Sequence, residues 1–173
     1  MASQATDTAR SVFVAGLKDA HAVENQALAL MDRQLDRLTN YPEVADMLRA
    51  HRAETEQQIE RLEEILSSLS ESHSGLKDAA LTMSGNMAAL AHTVAPDEIL
   101  KNSFANHAFE NFEIAAYTSL LSLADLGGFA SSTSLLRQSL GEEQRMAQMV
   151  LDSIPRITAT YVNLRDSGQT ASH

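Results

Sequence analysis

The sequence has no cysteine, no tryptophan, three prolines and seven glycines in 173 residues. Without thiols there are no disulfides, thiolate metal sites or cysteine nucleophiles. The absence fits a reducing compartment. With so few prolines and glycines, breaks are rare and long helices are favoured. Positive charge is also short: 13 Lys and Arg face 23 Asp and Glu, a formal net charge of −10. Binding nucleic acid through phosphates needs a basic patch. No patch stands out, so no nucleic-acid partner is expected. No run approaches the roughly 18 apolar residues of a membrane span. The opening "MASQATDTAR" lacks the apolar core of a signal peptide. The expected protein is soluble and cytoplasmic, with a single domain over residues 1–173. Its core should run from about residue 8 to 164, with a loose tail at 165–173.

What is present is helical periodicity. Phe13, Leu17, Ala20, Ala27, Met31, Leu35 and Leu38 step by threes and fours, predicting a first helix from about Thr8 to Thr39. "TNYPE" breaks it, and Pro42 suits the first turn of a second helix reaching about Ser70. Residues 76–94 carry a weaker pattern interrupted by Gly85, read as a short connecting helix. "PDE" after Ala95 opens a third long helix to about Leu126. "GGFASS" is a turn with a serine N-cap for a fourth helix, which reaches at least Ile154 and is kinked or ended by Pro155. No good strand is present. Two long helices, a long link and two more long helices make an all-α, ferritin-like four-helix bundle with a crossover connection carrying a short extra helix.

Several acids fall on the apolar faces of these helices. Glu24 lies on the line of Leu17, Met31 and Leu38. Glu110 lies on the line of Tyr117 and Ala124, with Glu113 close beside it, and Glu143 on that of Leu136, Val150 and Ile157. Glu54 aligns with Met47 but sits to one side of its helix's apolar set, where His51 is better centred; Gln57 lies farther out. Counted from the turns at ~1.5 Å per residue, Glu24, Glu54, Glu110 and Glu143 stand at roughly 17–24 Å, one common depth. Bare carboxylates there are costly. Such acids need protonation, a paired Arg or Lys, or a metal; Arg33, Arg37, Arg61 and Arg137 lie mainly off the apolar lines, which leaves protonation or a metal. Oxygen-rich sites with occasional imidazole suit iron or manganese, with zinc a substitute. Glu142 reads as solvated, and His21, His73, His92 and His173 as surface residues. There is no Gly-rich phosphate loop and no Ser-His-Asp arrangement, so no catalytic residue is assigned.

The carboxylate pattern resembles the ferritin-like di-iron superfamily. Within it, "HRAETEQQIERLEEIL", "FENFEIAAYTSL" and "LLRQSLGEEQRMAQMVL" resemble the YciE/YciF (DUF892) family over roughly residues 10–155. The resemblance implies two metal ions held by Glu24, Glu54, Glu110, Glu113 and Glu143. It places His51, Gln57, His107 and Tyr117 as supporting groups or substitute ligands. The superfamily follows a Glu by Tyr seven positions on in helices 1 and 3; Glu110 and Tyr117 obey, but Met31 follows Glu24. Helices 2 and 4 of di-iron relatives often read Glu-x-x-His, where this chain has Gln57 and Met146. The expected function is ferrous-ion oxidation or peroxide handling in a stress response. The rival is a structural or stress-associated bundle in which metal is only stabilising or absent. A homodimer is the default assembly.

Overall fold

The computed structural model describes residues 2–71 and 96–173. Four long helices carry them: α1 (Ala2–Leu35), α2 (Pro42–Ser68), α3 (Glu98–Gly127) and α4 (Thr133–Asp166), with a short 3-10 turn at Ala130–Ser132. No strand occurs among the described residues. The expected connecting helix at 76–94 lies outside them.

Side-chain pairs fix the direction of each helix. Arg10 meets Leu69 and Glu71, His21 meets Glu63, and Asp32 meets Arg52, so α1 and α2 are antiparallel. Tyr117 reaches Glu24, and Asn106 exchanges two hydrogen bonds with Gln34, so α1 and α3 are antiparallel. Arg61–Glu142, Arg145–Glu54 and Arg156–Glu43 do the same for α2 and α4. In α3 and α4, His107 meets Ala147 and Tyr161 reaches Pro96. With every lateral pair antiparallel, the diagonal pair α2 and α3 is parallel. The end of α2 and the start of α3 therefore lie at opposite ends of the bundle, as in the ferritin-like arrangement.

Local chemistry sets the ends. Pro42 occupies the first turn of α2, where its missing N–H costs nothing. Gly128 ends α3 in the left-handed region (φ 75°), and the Phe129 N–H reaches the Ala124 carbonyl at 2.8 Å. A Cβ on Gly127 would fall 2.2 Å from the Phe129 ring, and that ring stacks on Phe13 with centroids 4.9 Å apart. The paired glycines thus have separate reasons, one conformational and one steric.

Several expectations are corrected. The first helix begins at Ala2 and stops at Leu35, short of Thr39. Ser132 stands at the start of α4 but makes no side-chain cap; the 3-10 turn precedes the helix instead. Pro155 neither ends nor interrupts α4. It and Leu151, whose carbonyl loses its partner, are both exposed, so water can satisfy that carbonyl. The chain end is tied down as well. Tyr41 donates to the Ala171 carbonyl at 2.6 Å, Asn40 to those of Thr170 and His173, and the Ile99 N–H to that of Ser172.

The core divides into two apolar clusters along the bundle axis. One gathers Phe13, Leu17, Leu62, Leu66, Leu120 and Leu136. The other gathers Met31, Val44, Leu48, Ile99, Met146 and Val150. In sequence, Glu24, His51, Gln58 and Glu143 fall between members of the first cluster and members of the second. The polar groups form a layer between two dry ends.

Candidate metal centre

Each helix sends at least one polar group into this layer. α1 contributes Glu24, α2 His51 and Gln58, α3 Glu110 and Glu113, and α4 Glu143 and Glu142, all of them buried. His51, Glu110 and Glu143 each offer a ligand atom, and the three atoms lie within 4.8 Å of one another. His51 Nε2 stands 3.3 Å from Glu110 Oε2 and 3.6 Å from Glu143 Oε2. Its other nitrogen, Nδ1, faces Glu54 Oε2 at 3.3 Å. A carboxylate behind the ring with the opposite nitrogen turned inward is how metal-binding imidazoles are commonly oriented.

Other contacts fix the carboxylates. Tyr117 donates to Glu24 Oε1 at 2.6 Å. Gln58 Nε2 donates to Glu143 Oε1 and, at 3.1 Å, to Glu142 Oε2. Five carboxylate oxygens nevertheless have no hydrogen-bond partner: Glu24 Oε2, Glu110 Oε2, both oxygens of Glu113, and Glu143 Oε2. Buried acceptors are nearly always satisfied, so five in one layer require an explanation. The two His51 Nε2 contacts are therefore charge proximity rather than well-aligned hydrogen bonds.

The electrostatics follow from this crowding. Burial, above all, pushes the Glu24 carboxyl up to about 8; the Tyr117 hydrogen bond and His51 pull it down, and Glu110 and Glu142 push it further up. Glu143 is pushed up to about 11, first by burial, then by Glu24 and Glu110. Glu113 is also raised well above its ordinary value, by burial and then by Glu24, Glu143 and Glu110. Burial works against a charged His51, but Glu110, Glu54 and Glu24 together outweigh it and raise its pKa. Tyr117 is raised by burial and by Glu24. Without a cation, these acids hold protons that ordinary glutamates have lost at neutral pH. Oxygen donors in excess, one imidazole and no thiolate could hold a hard or borderline divalent ion.

The structure separates the expected residues into groups. Glu24, Glu110, Glu113 and Glu143 come together in the layer, with Tyr117 bonded to one of them. Glu54 does not join them: its side chain is 36% exposed and pairs with Arg145 and His51. Gln57 is exposed, and its oxygen accepts from Arg61. His107 has both ring nitrogens engaged, by the Ala147 carbonyl and by Asn111. Glu142 and Arg61, expected off the core, are buried against each other, joined at 2.6 and 2.9 Å. His21 is also buried, against Glu63.

A family model described as "Domain of unknown function (DUF892)" matches residues 8–163. The chain belongs to the DUF892 family. Protein YciF of Escherichia coli strain K12 is 29% identical over 147 residues, covering 79% of this chain and 84% of that protein. The crystal structure of YciF, described there as a stress protein, matches with TM-score 0.68 and 26% identity over 84% of this chain and 94% of that one. A Xanthomonas campestris pv. campestris protein matches with TM-score 0.76 and 25% identity over 91% of this chain and 99% of that one. YcfI from Rhodopseudomonas palustris shares the fold, with TM-score 0.63 and 22% identity over 82% of this chain and 92% of that one. The DUF892 bundle is thus the frame on which these acids are mounted.

Sequence reasoning missed Gln58. The signal was available, because a seven-residue step from Val44 through His51 and Gln58 to Ile65 traces the buried line of α2. Nothing local marked Glu142. It is buried because Arg61 on the facing helix meets it, and that depends on the register between α2 and α4.

Proposed function

We propose that this DUF892 chain binds two divalent metal ions, iron with manganese or zinc as substitutes, in the carboxylate layer, as part of a stress-associated role. The observation that carries the reading is the set of five buried carboxylate oxygens with no hydrogen-bond partner. Ionised carboxylates are costly in a dry layer, so without a cation these acids hold protons, and metal ions would take the place of those protons. His51, Glu110 and Glu143 would hold one ion. Glu24 and Glu113 would supply oxygens to the second. Four carboxylates balance two divalent charges. Bound ferrous iron would supply electrons to oxygen or peroxide.

The chain's own groups prepare the layer. Tyr117 holds one oxygen of Glu24 and leaves the other to face the ions. Glu54 turns His51 so that Nε2 points inward. The apolar clusters on either side keep bulk water out and strengthen each charge interaction.

Metal content of the protein as purified tests the binding, and ferrous-oxidation and peroxide assays test turnover. Glu24→Ala and Glu110→Ala should each lose bound iron and any turnover. A second reading, a bundle in which the metal only stabilises, rests on the burial of Glu24 and Glu143, which are 1% and 0% exposed and leave a substrate no open face. Bound metal without turnover in the wild type would favour it. A cytoplasmic homodimer belongs to the same proposal, with exposed Phe104, Phe112 and Met149 as apolar surface for a partner copy. Sedimentation of the full chain checks that assembly.

A further inference from the structure

The side chain of Gln58 is fully buried between two acids of α4. Glu142 Oε2 and Glu143 Oε1 both accept from its amide nitrogen. Its two hydrogens go to Glu142 Oε2 and Glu143 Oε1, and its own carbonyl oxygen is left buried without a donor. A core built for stability alone would not leave that acceptor bare.

The orientation is set from behind. Arg61 Nη1 and Nη2 bind the two oxygens of Glu142 at 2.6 and 2.9 Å. Ser139 accepts from Arg61 at 3.1 Å, and Gln138 donates to Glu142 Oε1 at 3.1 Å. Arg61 occupies both oxygens of Glu142 and holds that side chain in place. If Gln58 flipped, its carbonyl oxygen would be set against the Glu142 oxygen that already accepts from Arg61. The amide is held in one orientation and fixes Glu143 by one oxygen.

We infer that Gln58, locked by the Arg61–Glu142 ion pair, is a positioning residue that holds Glu143 Oε1 so that Oε2 alone faces His51 and Glu110. This deepens the metal-binding reading and rests on it. Gln58 makes Glu143 a one-oxygen ligand, and Arg61 cancels a charge that would otherwise add to the layer. Neither residue need touch the ion.

The test uses cobalt(II), whose visible absorption responds to coordination number, on the full metal-free chain. Wild-type protein should bind it. Gln58→Leu should bind about 10–100-fold more weakly, the usual loss when a group orienting a metal ligand is removed. Its cobalt spectrum should also change, because Glu143 is free to offer both oxygens. Glu142→Gln should act in the same direction even if Gln58→Leu does not fold, since the new amide can donate to the Gln58 carbonyl and let it turn. Arg61→Lys, which keeps the charge, should retain more affinity than Arg61→Leu. Wild-type affinity and spectrum in both Gln58→Leu and Glu142→Gln would overturn the positioning role and leave the metal site standing. No binding by the wild type would overturn both.

Discussion

At the scale of single residues, the layer sets stability against binding. Glu113 is buried, with no donor to either oxygen and three acids raising its pKa. Replacing it with an amide, neutral at any pH, removes the cost of keeping this carboxyl protonated in the metal-free fold. Glu113→Gln should therefore stabilise the metal-free protein by about 1–3 kcal/mol while weakening metal binding, the trade expected at functional sites. Thermal unfolding in chelator and a metal titration read the two effects separately; a lower Tm would count against the account. Tyr117→Phe tests the other support. The phenol donates to Glu24 at 2.6 Å, so its loss should free that carboxylate and weaken metal binding by about tenfold or more.

At the scale of elements, the informative places are where helices stop or fail to stop. Gly127 and Gly128 look alike in sequence, but alanine should act on them differently. At Gly128 the cost is that of a left-handed residue, about 1–2 kcal/mol. At Gly127 a methyl group would meet the Phe129 ring and disturb its stacking on Phe13, so the cost is one of overpacking, about 1–3 kcal/mol. Phe13→Ala should relieve the second cost more than the first, which a double-mutant cycle in denaturant would show. Pro155 offers the opposite test. It sits inside a continuous helix on an exposed face, so Pro155→Ala should restore a hydrogen bond and stabilise by about 1–3 kcal/mol.

At the scale of the whole molecule, the acid layer links folding to pH. In the unfolded chain these glutamates titrate near 4.5, whereas Glu24 is raised to about 8 and Glu143 to about 11 in the folded state. Between those values the folded protein binds protons that the unfolded chain has released. Their stabilising effect is greatest at low pH and is lost as pH rises. His51, also raised, has the same sign, since its contribution disappears as pH climbs through its folded pKa. The metal-free protein should therefore lose stability from pH 5 to 8, by about 1.4 kcal/mol per pH unit for each extra proton held. Glu110, Glu113, Glu142, Arg61 and Tyr117 face the same layer. Metal binding at neutral pH should release protons and flatten this dependence. Calorimetry in buffers of different ionisation enthalpy measures the release, and unfolding scans across the pH range measure the slope.

Much of this protein was legible along the chain. The periods of Phe13 to Leu38 and of Val44 to Leu69, the break at Pro42 and the glycines after Leu126 specify four long helices. A side chain's angular position on its own helix depends only on local geometry, so Glu24, Glu110, Glu113 and Glu143 were readable as inward acids. The tertiary structure alone decided which neighbours those acids would meet. It turned Glu54 out toward Arg145 and gave the inner position on α2 to His51. It buried Glu142 against Arg61, let Gln58 rather than Gln57 reach the layer, and folded the C-terminal residues back onto Tyr41. Each outcome depends on the register of one helix against another. Register is set by packing between segments far apart in the chain, and the period of a single helix does not encode it.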